Sequence, residues 1–220
     1  MKVVLKLGGA VAADAAALVH DLADEHEVCV VHGAGPQISE AMTQYGLEVE
    51  FVGGRRVTSA AAMVLVRRSF ARVNADLCDA IGECAVGLLG DEIGMRARPV
   101  PELGLVGDPI PTRPLYVELA LARGQVPVVA PIAEGPLNVN ADEAASALAV
   151  GIGADRILFV TDVPGVLLDG AVADTLAACD ADRLLDAGEL EGGIVPKLRA
   201  AVTAARLGVQ AEIGATAVVA

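Results

Sequence analysis

Asn138-Val139-Asn140-Ala141-Asp142 places two amides and a carboxylate where the apolar run Val126 to Ile132 gives way to helix-forming residues. An apolar core has no use for such a concentration of polar groups, whereas a small polar substrate does. Two lysines stand near the opposite ends of the chain. Lys6 lies inside Val3-Val4-Leu5-Lys6-Leu7 and precedes Gly8-Gly9, and Lys197 follows a glycine pair in Gly192-Gly193-Ile194-Val195-Pro196. Lysine is rarely buried without a partner. Two ammoniums and the Asp142 carboxylate, brought together by folding, would suit a transferring phosphoryl group, whose oxygens need fixed positive charge. The ordinary alternative is a lysine reaching water at a strand end, another solvated at a helix start, and an aspartate complementing a helix dipole.

Gly8-Gly9 and Gly33-Ala34-Gly35 each follow an apolar strand pattern and precede a helical one. Backbone N–H groups freed at a helix start attract anions, and glycine lets a phosphate approach closely. Neither loop has the spacing of a dinucleotide-binding or P-loop motif. Arg56, after Gly53-Gly54-Arg55 on a predicted hairpin, could clamp a carboxylate through two parallel hydrogen bonds, or could be an exposed hairpin charge. His32 ends a buried strand and reads as structural; His20 and His26 read as solvated. No serine or cysteine is placed with a histidine and an acid as a nucleophile would be.

These groups need strands and helices to position them. Val3–Leu7, Val28–Val31, Val86–Leu89, Val126–Ile132 and Arg156–Val160 read as buried strands, and 209–213 and 216–219 as closing strands. Helices are expected over 10–25, from 36 to about Tyr45, 60–83 (capped by Thr58-Ser59), 115–123, 142–151, 180–187 and 196–207, with hairpins over 50–57 and 93–114. Alternating strands and helices predict an α/β fold: a three-layer αβα sandwich around a central, mostly parallel open sheet. One continuous sheet would carry two functional lobes, 1–153 and 154–220.

Composition narrows the function. With 29 acidic and 16 basic residues the net charge is −13, which argues against a nucleic-acid partner. Five aromatics, none of them tryptophan, leave no base-stacking surface and require an aliphatic core. The four cysteines lack metal-ligand spacing and read as reduced thiols. No apolar run approaches a membrane span and the chain starts directly in a strand, so a cytoplasmic protein is expected.

Taken in order, Lys6-Leu7-Gly8-Gly9, His32-Gly33-Ala34-Gly35-Pro36, Gly54-Arg55-Arg56-Val57-Thr58, Asn138 to Asp142 and Ile194-Val195-Pro196-Lys197 resemble the amino acid kinase family, in its acetylglutamate kinase branch. The resemblance runs from Met1 to about Gly208. It implies phosphorylation of the γ-carboxylate of N-acetyl-L-glutamate by ATP with Mg²⁺, in arginine biosynthesis, without a tightly bound cofactor or a protein metal site. Lys6 and Lys197 would stabilise the phosphoryl group and Asp142 would organise them. Gly33, Ala34, Gly35, Arg56, Asn138 and Asn140 would hold the acyl-amino acid. Lys6, Gly8, Gly9, Thr161, Asp162, Gly165 and Lys197 would line the nucleotide site. A homodimer packed through the helix 60–83 and insensitive to arginine would follow. Three residues or segments depart from the family pattern. Ala34 replaces a glycine, placing a methyl toward the loop and restricting φ. Arg55 replaces a leucine, adding charge near the acyl pocket. The tail passes from Ile213-Gly214 directly to Thr216, without the usual helical segment. A kinase for a carrier-linked glutamate or aminoadipate, and a sensor that lost turnover, stay open as alternatives.

Overall fold

The computed structural model describes residues 1–8, 12–161, 163–168 and 170–220. Among these, eight strands form the main sheet: β1 (Lys2–Leu7), β2 (Glu27–His32), β3 (Ala85–Leu89), β4 (Val126–Ala130), β5 (Arg156–Val160), β6 (Thr175–Ala177), β7 (Gln210–Ile213) and β8 (Thr216–Val219). Their order is β6-β8-β7-β5-β1-β2-β4-β3. All neighbours pair in parallel except β7 and β8, which form a hairpin. From β1 the chain moves to β2 on one side and later returns to add β5 on the other. Such a reversal of strand order opens a crevice at the carboxyl ends of the strands, the usual place for a ligand in an open α/β sheet.

Period-2 alternation along β1 decides which layer each side chain joins. Val3, Leu5 and Leu7 pack with Ala15, Ala16, Val19, Leu77 and Ile81 from helices α1 (Ala12–Ala23) and α3 (Ala60–Ile81). Val4 faces the other way, among residues of α4 (Leu115–Ala122), α5 (Ala141–Gly151), α6 (Ala178–Ala187) and α7 (Ile194–Arg206). Lys6 is two residues beyond Val4 and shares its face, so the alternation aims its ammonium at the layer that holds α5 and α7. Helix α2 (Gly35–Gln44) packs beside α3 in a third cluster around Ile38, Met42 and Phe70. The three-layer αβα arrangement is therefore as expected, and its core is aliphatic.

Several elements differ from the sequence expectation. β3 is only half-buried, because it is the outer strand of the sheet with a single strand neighbour. The run Val126 to Ile132 breaks at Pro131, and Ile132–Ala133 pairs instead with Leu137–Asn138. α3 stops at Ile81 because Gly82 turns the chain at φ 90°; Ser59 caps its start by accepting from the Ala62 N–H. The hairpins fall where expected, as Phe51–Val52 with Arg55–Arg56 and Arg96–Pro99 with Gly107–Ile110. The short tail is also as expected: Gly214, at φ 54°, and Ala215 join β7 directly to β8. No helix among the described residues is long and apolar enough to cross a membrane.

Candidate active site

Lys6, near the end of β1, reaches Asp142 in the first turn of α5, with Nζ 2.9 Å from Oδ1 and both side chains almost wholly buried. Lys197, in the first turns of α7, approaches the same carboxylate oxygen at 3.8 Å and is only slightly exposed. Residues from the first, middle and last parts of the chain thus share one charged centre. Burial pulls the Lys6 ammonium below its ordinary pKa, the Asp142 charge pushes it back up, and Lys197 pulls it down again. The two cations exceed the one anion here, and the surplus faces a cavity.

That cavity has a volume of about 270 Å³ and is walled by the charged centre, the loop Gly33-Ala34-Gly35, the hairpin residues Phe51, Gly54, Arg55 and Arg56, and Asn138 to Asp142. Its size is near the lower end of the roughly 300–1,000 Å³ of small-molecule sites. Gly8 also lines it. Gly9 and Asp162 lie outside the described residues.

At the other end of the cavity Arg56 is 6% exposed. Its guanidinium donates to the Gly35 carbonyl (3.0 Å) and the Ser39 hydroxyl (2.8 Å), touches Met42 Sδ (3.5 Å) and lies 4.5 Å from the centre of the Phe51 ring. Among the described residues no carboxylate pairs with it. Burial accordingly lowers its pKa from the ordinary arginine value. A buried guanidinium with only neutral partners is poised for a carboxylate from outside the protein. Sequence reading found Arg56 but missed the groups that orient it. Phe51 could have been found by counting back across the Gly53-Gly54 turn, since Phe51 and Arg56 pair in register.

Asn138 donates to Thr58 Oγ1 (3.0 Å), and Thr58 donates to the Arg56 carbonyl (2.7 Å), so this amide and this arginine are parts of one network. Asn140 lines the cavity but uses its side chain structurally. Its Oδ1 caps α5 by accepting from the N–H groups of Asp142 (2.9 Å) and Glu143 (3.2 Å), and its Nδ2 reaches the Gly54 carbonyl at 3.4 Å.

The Gly33 N–H donates to the Leu7 carbonyl (3.1 Å), which ties the second glycine loop to the exit of β1. Ala34 corrects an expectation: its φ is −144°, outside the left-handed region, and its methyl is buried with Ile38, Met42 and Phe70. The alanine therefore fits without backbone strain. Arg55 lines the cavity, as expected. Its Nη1 is 2.6 Å from Asp108 Oδ1 and its Nη2 donates to Glu143 Oε1 at 2.9 Å, so its charge is neutralised by protein carboxylates.

Beneath the loop, His32 is fully buried. A ring protonated on Nδ1 donates to the Gly33 carbonyl (3.3 Å) while Nε2 accepts from Asn74 Nδ2 (3.1 Å). Burial lowers its pKa to about 4, so the ring is neutral at pH 7 and supports the loop. Across the crevice, Thr161 follows β5 and is half-buried. Gly165 is buried, and a Cβ there would lie 2.6 Å from Thr216 Oγ1, so close packing requires glycine at this position. Among the described residues no cluster of histidine, cysteine and carboxylate groups could hold a metal ion.

The sequence model of the amino acid kinase family matches residues 1–214. The chain is 40% identical to an acetylglutamate kinase of Rubrobacter xylanophilus over 96% of its length and 87% of the relative's. It is 41% identical to one of Solibacter usitatus, over 96% and 89% respectively. Among solved structures, the smu.665 protein of Streptococcus mutans superposes with a TM-score of 0.86 at 27% identity, covering 99% of this chain and 98% of that one.

Proposed function

Because the chain belongs to the amino acid kinase family, we propose that it transfers the γ-phosphoryl group of ATP to the γ-carboxylate of N-acetyl-L-glutamate. The step would serve arginine biosynthesis. The observation that carries the reading is the pairing of two sites across one small cavity: a cationic centre of Lys6, Lys197 and Asp142 at one end, and at the other the buried Arg56, which has no carboxylate partner among the described residues. A dicarboxylate fits that polarity. Its α-carboxylate meets Arg56, with Asn138 beside it, and its γ-carboxylate points to the cationic centre.

The chemistry then needs little more than placement. The substrate's carboxylate is already ionised, so no general base is required. One of its oxygens attacks the γ-phosphorus, the bond from that phosphorus to the β–γ bridging oxygen breaks, and the products are an acyl phosphate and ADP. The leaving electron pair goes to ADP. Lys6 and Lys197 offset charge on the transferring oxygens, and Asp142 fixes the two ammoniums so that they need not reorganise during the step. The N–H groups of Ala34 and Gly35, at the start of α2, would donate to oxygens of the anion. Mg²⁺ would arrive with the nucleotide phosphates. The segment 154–220, with Thr161 and Gly165 at the strand ends, is the proposed nucleotide lobe. A cytoplasmic homodimer packed through α3 accompanies the reading.

The test is ADP release from purified protein with MgATP and N-acetyl-L-glutamate, with L-glutamate and N-acetyl-L-aspartate as controls. Turnover confined to N-acetyl-L-glutamate and abolished by Lys6→Ala or Lys197→Ala is the expected result. Binding without turnover, or turnover of another acid in preference, would overturn it.

A further inference from the structure

A hairpin with two residues in each strand has little stability of its own. The strap from Phe51 to Arg56 has only two register pairs and turns on Gly53 and Gly54, which sit at φ 57° and 79°. Apolar burial does not fasten it, since Phe51 and Val52 are 54% and 48% exposed. Yet this strap delivers Arg56 to the cavity wall.

The fastening is polar: Arg56 itself ties the strap to α2 through the Gly35 carbonyl and the Ser39 hydroxyl, and the neighbouring arginine ties it to two further elements. Arg55 reaches Asp108 on the strand Gly107–Ile110, and Glu143 in the first turn of α5. Glu143 directly follows Asp142, the carboxylate between the two lysines. A further tie is the 3.4 Å contact from Asn140, the α5 cap, to the Gly54 carbonyl. Three elements that share little backbone pairing therefore converge on one guanidinium, which is only about a quarter exposed. Glu143 is sufficiently enclosed that burial leaves its carboxyl pKa raised, and the Arg55 hydrogen bond and charge offset only part of that rise.

We propose that Arg55 is a positioning residue: a clasp that joins the strap carrying Arg56 to the helix start carrying Asp142. It holds the carboxylate end and the phosphoryl end of the cavity in one frame. This rests on the functional reading above only for its kinetic consequence; the structural consequence stands alone. A strap that is closed only part of the time weakens substrate binding by the fraction closed. Loss of two charge-assisted contacts on a partly exposed group should raise the apparent KM for the acyl-amino acid roughly five- to thirty-fold. The nucleotide, bound at the opposite end, should be little affected.

Hydrogen exchange on the ligand-free full chain reads the clasp directly. The Val57 amide, bonded to the Glu50 carbonyl at 3.0 Å, reports on the base of the strap. In Arg55→Leu and in Glu143→Gln its exchange should quicken by about tenfold or more, while α3 amides stay protected. Adding Glu143→Gln to Arg55→Leu should add nothing, and Arg55→Lys should restore part of the protection. In the same variants the KM for N-acetyl-L-glutamate should rise by more than kcat changes, with the KM for ATP within about twofold. Unchanged Val57 exchange in Arg55→Leu would overturn the clasp. So would quickened exchange with no change in KM for a substrate that the wild type turns over. A wild type without turnover refutes the functional reading instead, and the exchange result still decides whether Arg55 fastens the strap.

Discussion

Replacing Asp142 by asparagine changes almost no volume and removes one charge. In the folded protein that charge lies 2.9 Å from Lys6 and 3.8 Å from Lys197. Its loss leaves two ammoniums facing each other, one of them almost wholly buried. Removing one partner of a buried ion pair typically costs about 3–5 kcal/mol. For a chain of this length that amounts to a fall in Tm of about 6–20 °C. The cost has a ceiling, because Lys6 can escape it by losing its proton. Burial already lowers the Lys6 pKa, and Asp142 is the group that holds it up. In Asp142→Asn the folded state should therefore shed a proton that the unfolded chain keeps up to about pH 10.4. The unfolded state then binds more protons, so stability rises with pH between the lowered folded pKa and that value. Denaturant unfolding at several pH values between 7 and 10 measures this slope. The second arm is Lys6→Met with Asp142→Asn, which replaces the stranded ammonium with an apolar chain of similar length. This double variant should be more stable than Asp142→Asn at pH 7, although neither should turn over substrate. A double variant no more stable than the single one, together with a flat pH profile, would refute the view that Asp142 exists to hold Lys6 in its charged form.

Arg56→Lys keeps the charge and loses the fork; with a charge-assisted hydrogen bond worth about 1.5–3 kcal/mol, the KM for N-acetyl-L-glutamate should rise about 10- to 150-fold in steady-state assays. His32 has a folded pKa of about 4 against 6.5 for the free group. The unfolded state binds the extra proton, so its contribution to stability is full above pH 6.5 and is lost as pH falls toward 4, by about 3 kcal/mol in all. A His32→Gln variant should lack this acid limb in urea titrations, and an unchanged limb would place the acid sensitivity elsewhere.

The strands that build the sheet interior were legible because each is a short apolar run bounded by glycine or polar residues. β6 was not: three residues on the sheet edge give no period to detect, and its strand neighbour, β8, lies some forty residues later. Lys6, Asp142 and Lys197 were legible as a charge set because lysine within an apolar strand is itself anomalous. Their meeting point was not written in any local pattern; it follows from the side of β1 that Lys6 shares with Val4. The partners of Arg55 and Asn140 were missed for one reason. Both have partners far along the chain, Glu143 and Asp108 for Arg55 and the Gly54 carbonyl for Asn140. The Asn140 cap was nevertheless visible in Asn-Ala-Asp-Glu at a helix start. Gly165 looked like a loop glycine near a nucleotide, whereas its tightest constraint is Thr216, in the final strand.

The pairing of β1 with β5 has a further consequence, in time rather than space. The first strand made waits for a partner more than 150 residues later, and their junction is sealed by the Lys2 N–H on Asp155, a separation of 153 residues. Such non-local closure is slow compared with helix or hairpin formation. Lys197 comes later still, on α7. An emerging chain can therefore assemble the β1–β2 unit and α3 early while the centre of Lys6, Asp142 and Lys197 is still incomplete. Recovery of activity in a refolding experiment should be the last signal to return, lagging the regain of helical structure, and a chain ending before α7 should fold its first helices without any catalytic trace. Activity in this protein thus reports on completion of the central sheet, and an assay for turnover doubles as an assay for the final folding step.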